Sequence, residues 1–271
     1  MLEQDHLATF NDLGFVVVPK LFSNAEVEAI KTHFTALNAS GTGGFAGDNI
    51  TDLTDPLAKY PRMVHPHRWD DLSLNWLLDD RLRQWTTRLL GREPFAAQTM
   101  FYFKPPGARG QALHQDQRSL EVYPGTCLAA WMAVDTCDED SGCLQLVPRT
   151  QTLPKLCPVE AETDTSFTNE TVPLAEGMQP QNATMHPGDV LFFNGQVIHG
   201  SGPNTSDRFR RALIAHYVVG EAEKVAKFYH PLLNFDGHEV ALGTSEQGGP
   251  CGVWVDKQGQ QAVEMKAAQP N

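Results

Sequence analysis

The sequence lacks several features that would assign it to a particular class of protein. No apolar run approaches the ~20 residues that a helix needs to cross a bilayer, so we do not expect a membrane protein. The N-terminus, MLEQDHLATF, has neither the basic region nor the apolar stretch of a signal peptide, which favours a cytoplasmic location. Positive charge is also scarce, because 21 Lys and Arg stand against 33 Asp and Glu, a formal net charge of -12. This balance repels a phosphate backbone, so nucleic acid is not an expected partner.

Cysteine is sparse as well. The five cysteines are odd in number and fit no zinc-ribbon spacing, which in a chain of 271 residues argues for free thiols in a reducing compartment. We therefore expect no disulfide framework among these positions, which are Cys127, Cys137, Cys143, Cys157 and Cys251.

What the chain does contain is typical of a globular protein. Hydrophobic residues make up 41% and charged residues 20%, with 22 Gly and 18 Pro scattered along the sequence, which excludes collagen-like, coiled-coil and wholly disordered classes. We predict a single domain over residues 1–271. In this domain, N-terminal helices (1–92) pack on a β-core (93–220), and an extension (221–271) comes last.

Helical patterns occupy the first third of the sequence. Ser23 and Glu26 form a capping box ahead of apolar residues at helical spacing, and two further helical patterns cover residues 69–78 and 80–90. Residues 39–61 are rich in Gly, Thr and Asp, which predicts an exposed loop that is able to close as a lid.

After Gly91, short β-rich runs recur between turns that contain Pro and Gly. The runs cover residues 98–104, 127–134, 143–147, 190–193 and 210–219. Runs of this length and spacing are typical of an antiparallel sandwich or jelly roll, so the predicted fold is mainly β with flanking helices. The polar segment 158–184 has no clear period and is expected to be a long excursion from the β-core.

Three residues form the pattern that carries chemistry. In an extended segment, His114 and Asp116 point to the same face and reach one point in space. His-x-Asp alone is a weak pattern, and a solvated turn explains it equally well. However, His199 lies 83 positions after Asp116, at the end of an apolar strand. Two imidazoles and one carboxylate are the facial triad of non-haem Fe(II) oxygenases, which leaves three coordination positions open.

Arginines lie shortly after the distal histidine. Arg208, Arg210 and Arg211 open a predicted strand, and a guanidinium there is suited to clamp a dicarboxylate through two parallel hydrogen bonds. Alternation along the strand groups Arg210 with Ala212 and Arg211 with Leu213. Because both faces are apolar, the spacing does not choose between the two arginines.

These motifs resemble the phytanoyl-CoA dioxygenase family of Fe(II)- and 2-oxoglutarate-dependent oxygenases. The resemblance lies in LHQDQ (113–117), in CLAAWMAVDTCDEDSGCLQLVP (127–148) and in HGSGPNTSDRFRRALIAHY (199–217). It implies a double-stranded β-helix, which is a cupin-like jelly roll. It also implies that His114, Asp116 and His199 bind Fe(II) and that the enzyme uses 2-oxoglutarate and O2.

The resemblance assigns further roles. It selects Arg210 to pair with the far carboxylate of 2-oxoglutarate and Ser201 to hydrogen-bond the same group. Trp131 matches a tryptophan in the pocket wall of the family, and Gln98 lies on the strand that lines the site. Related halogenases have a small residue where this chain has Asp116, so the resemblance implies hydroxylation.

The substrate is expected to be a small anionic or zwitterionic molecule. Arg62 and His65 come after the predicted lid, where related enzymes place residues that meet substrate, and Lys104 and Arg118 would add local positive charge. The resemblance is to the bacterial small-molecule branch of the family, and 2-aminoethylphosphonate is the first candidate. A free amino acid or a natural-product intermediate is the alternative.

Two other classes of protein stay open on the sequence alone. A cupin-like zinc enzyme would favour a closed or three-histidine site, and a non-catalytic jelly-roll binding module would not need the His/Asp/His set. The sequence does not indicate an oligomeric state. His216, on the arginine strand, is more typical of a satisfied core histidine than of a group that supports the metal ligands.

Overall fold

A computed structural model describes residues 2–44, 50, 52–246 and 248–267 of the chain. The helices are α1 (Leu2–Leu13), α2 (Asn24–Ala39), α3 (Pro56–Lys59), α4 (Asp71–Leu77), α5 (Asp80–Leu90) and α6 (Gln117–Leu120). The strands are β1 (Phe15–Val18), β2 (Met63–Val64), β3 (Phe95–Tyr102), β4 (Gln111–His114), β5 (Cys127–Ala133), β6 (Leu144–Leu146), β7 (Val159–Glu160), β8 (Glu170–Thr171), β9 (Gln181–Ala183), β10 (Val190–Asn194), β11 (His199–Ser201), β12 (Ala212–Val218), β13 (Lys224–Ala226), β14 (Leu232–Leu233), β15 (Glu239–Val240), β16 (Gly243–Ser245), β17 (Cys251–Lys257) and β18 (Gln260–Lys266).

Side-chain caps determine where the N-terminal helices begin. At the start of α2, the Ser23 hydroxyl accepts from the backbone N–H of Glu26, and the Glu26 carboxylate accepts from the N–H of Ser23, so the predicted capping box is confirmed. The helix predicted over 69–78 begins directly after Asp70. The Asp70 carboxylate accepts from the N–H of Ser73 and so fixes this later start.

A large antiparallel sheet forms the centre of the protein. Its strands lie in the order β1-β10-β5-β12-β3-β14-β15, and β2 pairs with β3. Strands β5 and β12 are buried along their whole length because both faces of the sheet are covered. On one face, Leu128 and Leu213 pack in a core with residues of the N-terminal helices. On the other face, Trp131 and Ile214 pack in a core with residues of a second sheet.

The second sheet is smaller and has the strand order β4-β11-β6-β9. Leu144 and Leu146 of β6 contribute to the core that it shares with the large sheet. The protein is therefore a two-sheet β-sandwich with helices on the outer face of the large sheet, as the sequence predicts.

The predicted excursion leaves the β-core and returns to it. Residues 158–184 contain the β7–β8 hairpin and then lie against β4, where the N–H of Val172 donates to the carbonyl of Leu113 at 2.7 Å. The segment rejoins the second sheet as β9. It thereby covers the strand that carries His114.

The expectation that all five cysteines are free thiols is wrong. Cys157 and Cys251 form a disulfide, whereas the other three are buried free thiols. The two partners meet because the β17–β18 hairpin lies on the excursion: the N–H of Cys157 donates to the carbonyl of Gly252 at 2.8 Å, and the Trp254 indole donates to the carbonyl of Pro173 at 2.9 Å.

Two expectations are not decided by the fold. Among the described residues, no helix is long and apolar enough to span a bilayer. The cytoplasmic location stays a prediction. Residues 45–49 and 51 of the predicted lid (39–61) lie outside the described residues, so closure of this segment also stays a prediction.

Candidate metal centre and co-substrate pocket

Two histidines meet where β4 pairs with β11. His114, the last residue of β4, lies opposite His199, the first residue of β11, and their ring centroids are 4.1 Å apart. The pairing register then shifts, so that Ser201 lies opposite Gln111. Such a bulge redirects the side chains beside it. Gly200 lies at the bulge, where a Cβ would be 2.8 Å from the carbonyl oxygen of Gln111, so this close approach requires glycine.

Asp116 completes a cluster of three donor side chains, but not through the predicted conformation. The extended geometry expected for residues 114–116 is wrong at Asp116, which has helical angles (φ -60°, ψ -34°) and precedes α6. The turn still directs the carboxylate to the histidines. Its Oδ1 lies 3.6 Å from Nε2 of His114 and 3.7 Å from Nε2 of His199. One donor atom of each residue lies within 4.8 Å of the others, so the structure brings the three together.

Backbone carbonyls fix the tautomers of both histidines. Nδ1 of His114 lies 2.9 Å from the carbonyl of Ala112, and Nδ1 of His199 lies 2.9 Å from the carbonyl of Val197. Since a carbonyl only accepts, both Nδ1 atoms carry a proton, and in the neutral form of each ring Nε2 is the atom with the lone pair. Burial and the neighbouring His199 lower the pKa of His114 to about 4, which keeps this ring neutral and able to bind a metal.

A fourth side chain, His216, orients the carboxylate. Its Nε2 lies 3.0 Å from Oδ2 of Asp116 and must donate, because a carboxylate only accepts. This hydrogen bond leaves Oδ1 facing His114 and His199. Burial acts to raise the pKa of Asp116, but the imidazoles of His199 and His216 hold that pKa well below its usual range. The carboxylate is therefore ionised.

A cavity of about 290 Å³ opens beside these residues; we call it the central cavity. Its lining residues are Arg62, Val64, Gln98, Met100, Tyr102, Gln111, His114, Asp116, Ser119, Leu120, Trp131, Leu144, Thr168, Phe193, His199, Ile214, His216, Phe228 and Tyr229. The structure thus places Gln98, Trp131 and Arg62 in the wall of one cavity with the three donors. Nη1 of Arg62 donates to the Tyr102 hydroxyl at 2.9 Å.

Arg210 is a buried cation with unused donors. It lies two residues before the start of β12, and alternation places it on the same face as Ala212 and Ile214, towards the second sheet. Its exposed fraction is 2%, and its guanidinium carbon lies 5.2 Å from the centre of the Trp131 ring. Its Nε and Nη1 have no hydrogen-bond partner among the described residues. A buried guanidinium with unpartnered N–H groups requires an anion that the described part of the protein does not supply.

Arg210 and Ser201 share a smaller cavity, of about 30 Å³, which we call the side cavity. It adjoins the central cavity, since Arg62 and Tyr102 line both. The other two arginines of the strand opening lie elsewhere. Arg208 pairs with Asp138 near the surface, whereas Arg211 pairs with Asp135 where both side chains are mostly buried.

Comparison with known proteins identifies the family. The sequence model of the phytanoyl-CoA dioxygenase (PhyH) family matches residues 10–212. The chain belongs to the phytanoyl-CoA dioxygenase family. The peroxisomal phytanoyl-CoA dioxygenase of Bos taurus is 25% identical over 223 residues, which are 77% of this chain and 66% of that relative. The 2-aminoethylphosphonate dioxygenase of the uncultured bacterium HF130_AEPn_1 is 30% identical over 145 residues, 53% of each chain. The alignments thus span about two thirds of the first relative and about half of the second.

Solved structures share the fold. The epimerase SnoN from nogalamycin biosynthesis, solved in complex with Fe3+, alpha ketoglutarate and nogalamycin RO, has a TM-score of 0.66 at 19% identity, over 81% of this chain and 84% of that one. EctD from S. alaskensis has a TM-score of 0.62 at 22% identity, over 79% and 76% of the two chains. The predicted family membership and the predicted jelly roll are both confirmed.

The donor sets in the two cavities match the cofactors that the resemblance implies. Two neutral imidazoles and one carboxylate are a ligand set that ferrous iron accepts. The unpartnered Nε and Nη1 of Arg210, next to the Ser201 hydroxyl, match the far carboxylate of 2-oxoglutarate. The residues present are therefore suited to both groups.

Not every predicted substrate residue faces the central cavity. The ring of His65 is buried and packs against Phe228 and Tyr229, which do line the cavity, so His65 lies one layer behind the wall. Arg118 is at the surface and pairs with Glu170. Lys104 lies in the side cavity and not in the central one.

Two residues at the site were outside the sequence-based assignment. Gln111 lines the central cavity and its amide donates to Nε2 of His114 at 3.1 Å, at the lone pair that a metal would take. His216 is buried, as expected of a core histidine, and its Nε2 also donates to the carboxylate of Asp116. The sequence could have indicated this, because His216 lies two residues after Ile214 and period-two alternation places His216 and Ile214 on the inner face with Arg210.

Proposed function

We propose that this chain is an iron(II)- and 2-oxoglutarate-dependent dioxygenase that hydroxylates a C–H bond of a small polar or zwitterionic metabolite. One juxtaposition carries the proposal: the donors of His114, Asp116 and His199 lie in a cavity adjoining one that holds Arg210, a buried arginine with unused donors. The family, whose name is that of a dioxygenase, supports the same reaction class.

In this proposal, Nε2 of His114, Nε2 of His199 and Oδ1 of Asp116 hold the iron. When bound, iron and 2-oxoglutarate activate dioxygen, so that one oxygen atom enters the substrate C–H bond and 2-oxoglutarate becomes succinate and CO2. The protein keeps the two rings in the binding tautomer through carbonyl acceptors, and His216 holds the carboxylate in one orientation. Three coordination positions remain for co-substrate and oxygen.

Arg210 and Ser201 receive the far carboxylate of 2-oxoglutarate. The guanidinium can bond a carboxylate through two parallel N–H groups, and its stacking distance of 5.2 Å from the Trp131 ring limits its orientation. Gln98, 3% exposed in the wall between the sheets, adds an amide beside the keto acid end. These groups fix the co-substrate at both ends.

The substrate is small and polar. The central cavity of about 290 Å³ is at the lower end of the range for small-molecule sites, and 2-oxoglutarate takes part of it. Arg62 supplies positive charge, Ser119 and Thr168 supply hydroxyls, and Phe228 with Tyr229 form an aromatic side. A phosphonate or carboxylate near Arg62 satisfies this lining, and the bacterial relative named for 2-aminoethylphosphonate makes that compound the first candidate. A free amino acid or a natural-product intermediate is the second.

A cupin-like zinc enzyme and a non-catalytic binding module account for fewer of the observations. Catalytic zinc sites also use three protein ligands, so the number of donors in this cluster does not separate the metals. A zinc hydrolase or isomerase would leave the buried charge of Arg210 without an assigned anion, and a binding module would not need the cluster of three donors.

The test combines binding and turnover. Protein loaded anaerobically with Fe(II) is titrated with 2-oxoglutarate, and succinate is then measured in air with a panel of 2-aminoethylphosphonate, β-alanine, free amino acids and ectoine. Asp116→Ala is the control and should lose iron binding and turnover together. Absence of Fe(II) and 2-oxoglutarate binding would overturn the dioxygenase proposal. Succinate formation that is stimulated by an amino acid but not by the phosphonate would overturn only the first substrate.

A further inference from the structure

Lys104 lies buried beside the co-substrate site in an uncommon backbone conformation. Its exposed fraction is 5%, although lysine is almost never fully buried without a partner. Its φ of 36° lies in the left-handed region, which is uncommon for residues other than glycine. Strain of this kind persists where the surrounding structure requires it, and it often marks functional sites. The fold therefore holds the Lys104 side chain in place in spite of the strained backbone conformation and the burial of its charge.

The ammonium group of Lys104 is directed at Ser201. Nζ donates to the Ser201 hydroxyl at 3.0 Å, to the carbonyl of Gly142 at 2.8 Å and to the carbonyl of Gly202. All three donors of the ammonium are thereby used. Gly142, at φ +67°, leaves room for this arrangement, because a Cβ there would lie 2.7 Å from Nζ.

This arrangement determines what the Ser201 hydroxyl can do. Its oxygen accepts from Nζ of Lys104 and also from the backbone N–H of Gln111, at 3.2 Å. A hydroxyl has two acceptor lone pairs and one proton, so both lone pairs are used and only the proton remains. Ser201 lines the side cavity with Arg210. The hydroxyl can therefore act there only as a donor, which is the role that a carboxylate needs.

The same backbone segment also positions Arg210. The carbonyl of Lys104 accepts from the N–H of Arg210 at 3.1 Å and from the side-chain amide of Asn204 at 3.0 Å. One residue thus contacts both groups of the proposed carboxylate clamp, through its side chain at Ser201 and through its carbonyl at Arg210.

The two cations share no carboxylate among the residues that the structure describes. Asp135, near Arg210, is held by Arg211 through Nε and Nη2 at 2.7 and 3.0 Å. The acidic groups that both cations do have nearby are the thiols of Cys143 and Cys137. Burial raises the pKa of both thiols, that of Cys137 to about 12, so they supply no counter-charge. Burial and the like charge of Arg210 lower the pKa of Lys104. An anion bound between Lys104 and Arg210 would offset both the burial and the like charge that lower the pKa of Lys104.

We infer that Lys104 is a positioning residue for 2-oxoglutarate: it holds the Ser201 hydroxyl as a donor to the far carboxylate and adds a second positive charge beside Arg210. The inference rests on the proposed function, because it concerns the same co-substrate site. It assigns Lys104 no contact with iron and none with the substrate to be hydroxylated.

The experiment compares two keto acids that differ only at the far end. 2-Oxoglutarate and 2-oxovalerate share the keto acid end, but 2-oxovalerate ends in a methyl group. Their dissociation constants are measured by calorimetry on anaerobic Fe(II)-loaded wild type, Lys104→Met, Ser201→Ala and the double variant. Lys224→Met, at an exposed residue outside both cavities, is the matched control. Because loss of a hydrogen bond to a charged group is worth about tenfold or more, Lys104→Met should weaken 2-oxoglutarate binding by about that factor.

The expected pattern distinguishes positioning from a general structural role. Binding of 2-oxovalerate should change less than twofold, and the double variant should bind 2-oxoglutarate no more weakly than the weaker single variant. Equal weakening of both keto acids, unchanged binding of 2-oxoglutarate, or losses that multiply in the double variant would overturn the inference. If wild type binds no 2-oxoglutarate, the proposed function itself fails.

A second measurement does not depend on the folding of a variant. In a crystal structure of the wild type with Fe(II) and 2-oxoglutarate, we expect the Ser201 oxygen within hydrogen-bond distance of both Nζ of Lys104 and the far carboxylate. A hydroxyl turned away from either one overturns the inference.

Discussion

The hydrogen bond from His216 to Asp116 should determine much of the metal affinity. The contact is 3.0 Å long and both residues are buried, with exposed fractions of 3% and 9%. A hydrogen bond to a charged group is worth about 1.5–3 kcal/mol, which corresponds to about 10- to 100-fold in the dissociation constant. Loss of groups that orient metal ligands typically weakens binding by the same range.

His216→Leu removes the donor and keeps an apolar side chain in the cavity wall. We expect this variant to bind Fe(II) about 10- to 100-fold more weakly than wild type. His216→Gln is the matched control, because its amide nitrogen can take the place of Nε2 and donate to Asp116. It should recover most of the affinity.

The assay is an anaerobic competition titration of Fe(II) against a chelator, with the unfolding midpoint of each variant measured in parallel. Iron binding by His216→Leu within about threefold of wild type would contradict this role of His216, because loss of such a hydrogen bond should weaken binding by much more than threefold. The role would also be contradicted if the Gln variant bound iron as weakly as the Leu variant while both variants unfolded at the wild-type midpoint.

Three other residues offer tests of the site and of the fold around it. Arg210→Ala should raise the concentration of 2-oxoglutarate needed for half-maximal succinate formation by about 10- to 100-fold. Its affinity for Fe(II), measured by titration, should change little. An equal loss of iron affinity would contradict the assigned role. Stability should fall as pH drops from 6.5 to 4, because burial lowers the folded-state pKa of His67 to about 4 and the unfolded chain takes up the proton first. Between pH 7.5 and 5 the contribution of His67 to this loss is about 2 kcal/mol in urea denaturation, so the loss should be about 2 kcal/mol smaller in His67→Asn, whose side chain can still accept from the Thr99 N–H that now bonds Nδ1. His65 and His114 keep the rest of the pH dependence, because burial lowers their pKa values to about 3 and about 4. A loss in the variant as large as that of wild type would contradict the assignment. Gly142→Ala should lower the free energy of unfolding by about 1–3 kcal/mol, because φ is +67° and the new Cβ would meet Lys104, and wild-type stability would contradict this crowding.

The three proposed metal donors were predicted from the His-x-Asp spacing, from a histidine beside an apolar run and from the family resemblance. The sequence placed His199 at the end of a strand, whereas it begins β11. His114 and His199 end and begin strands, and two strands that pair in this register bring those ends together. The conformation at Asp116 was not accessible in the same way. Whether a strand continues for two more residues depends on the element after it, and here α6 begins directly after Asp116.

The burial of Lys104 and the disulfide could not be predicted because both depend on distant segments. The acceptors for Lys104 come from two distant segments, the turn at Gly142 and the end of β11 at Ser201 with the following Gly202, and local charge patterning indicates neither. Cys157 and Cys251 are 94 residues apart in sequence, and they meet only because the β17–β18 hairpin lies on the excursion. An odd number of cysteines therefore did not imply that all are free.

Strand β11 connects the two ends of the proposed co-substrate site. His199 and Ser201 are two residues apart, so their side chains project to one side of the strand at a spacing of about 6.6 Å. His199 lines the central cavity and Ser201 the side cavity, so in the proposed function this strand lies between the iron and the donors of the far carboxylate. A spacing of this order is comparable with the length of a five-carbon dicarboxylate. Because Gly200 fixes the approach of β11 to β4 between the two positions, the pairing that brings His199 beside His114 also sets where Ser201 lies.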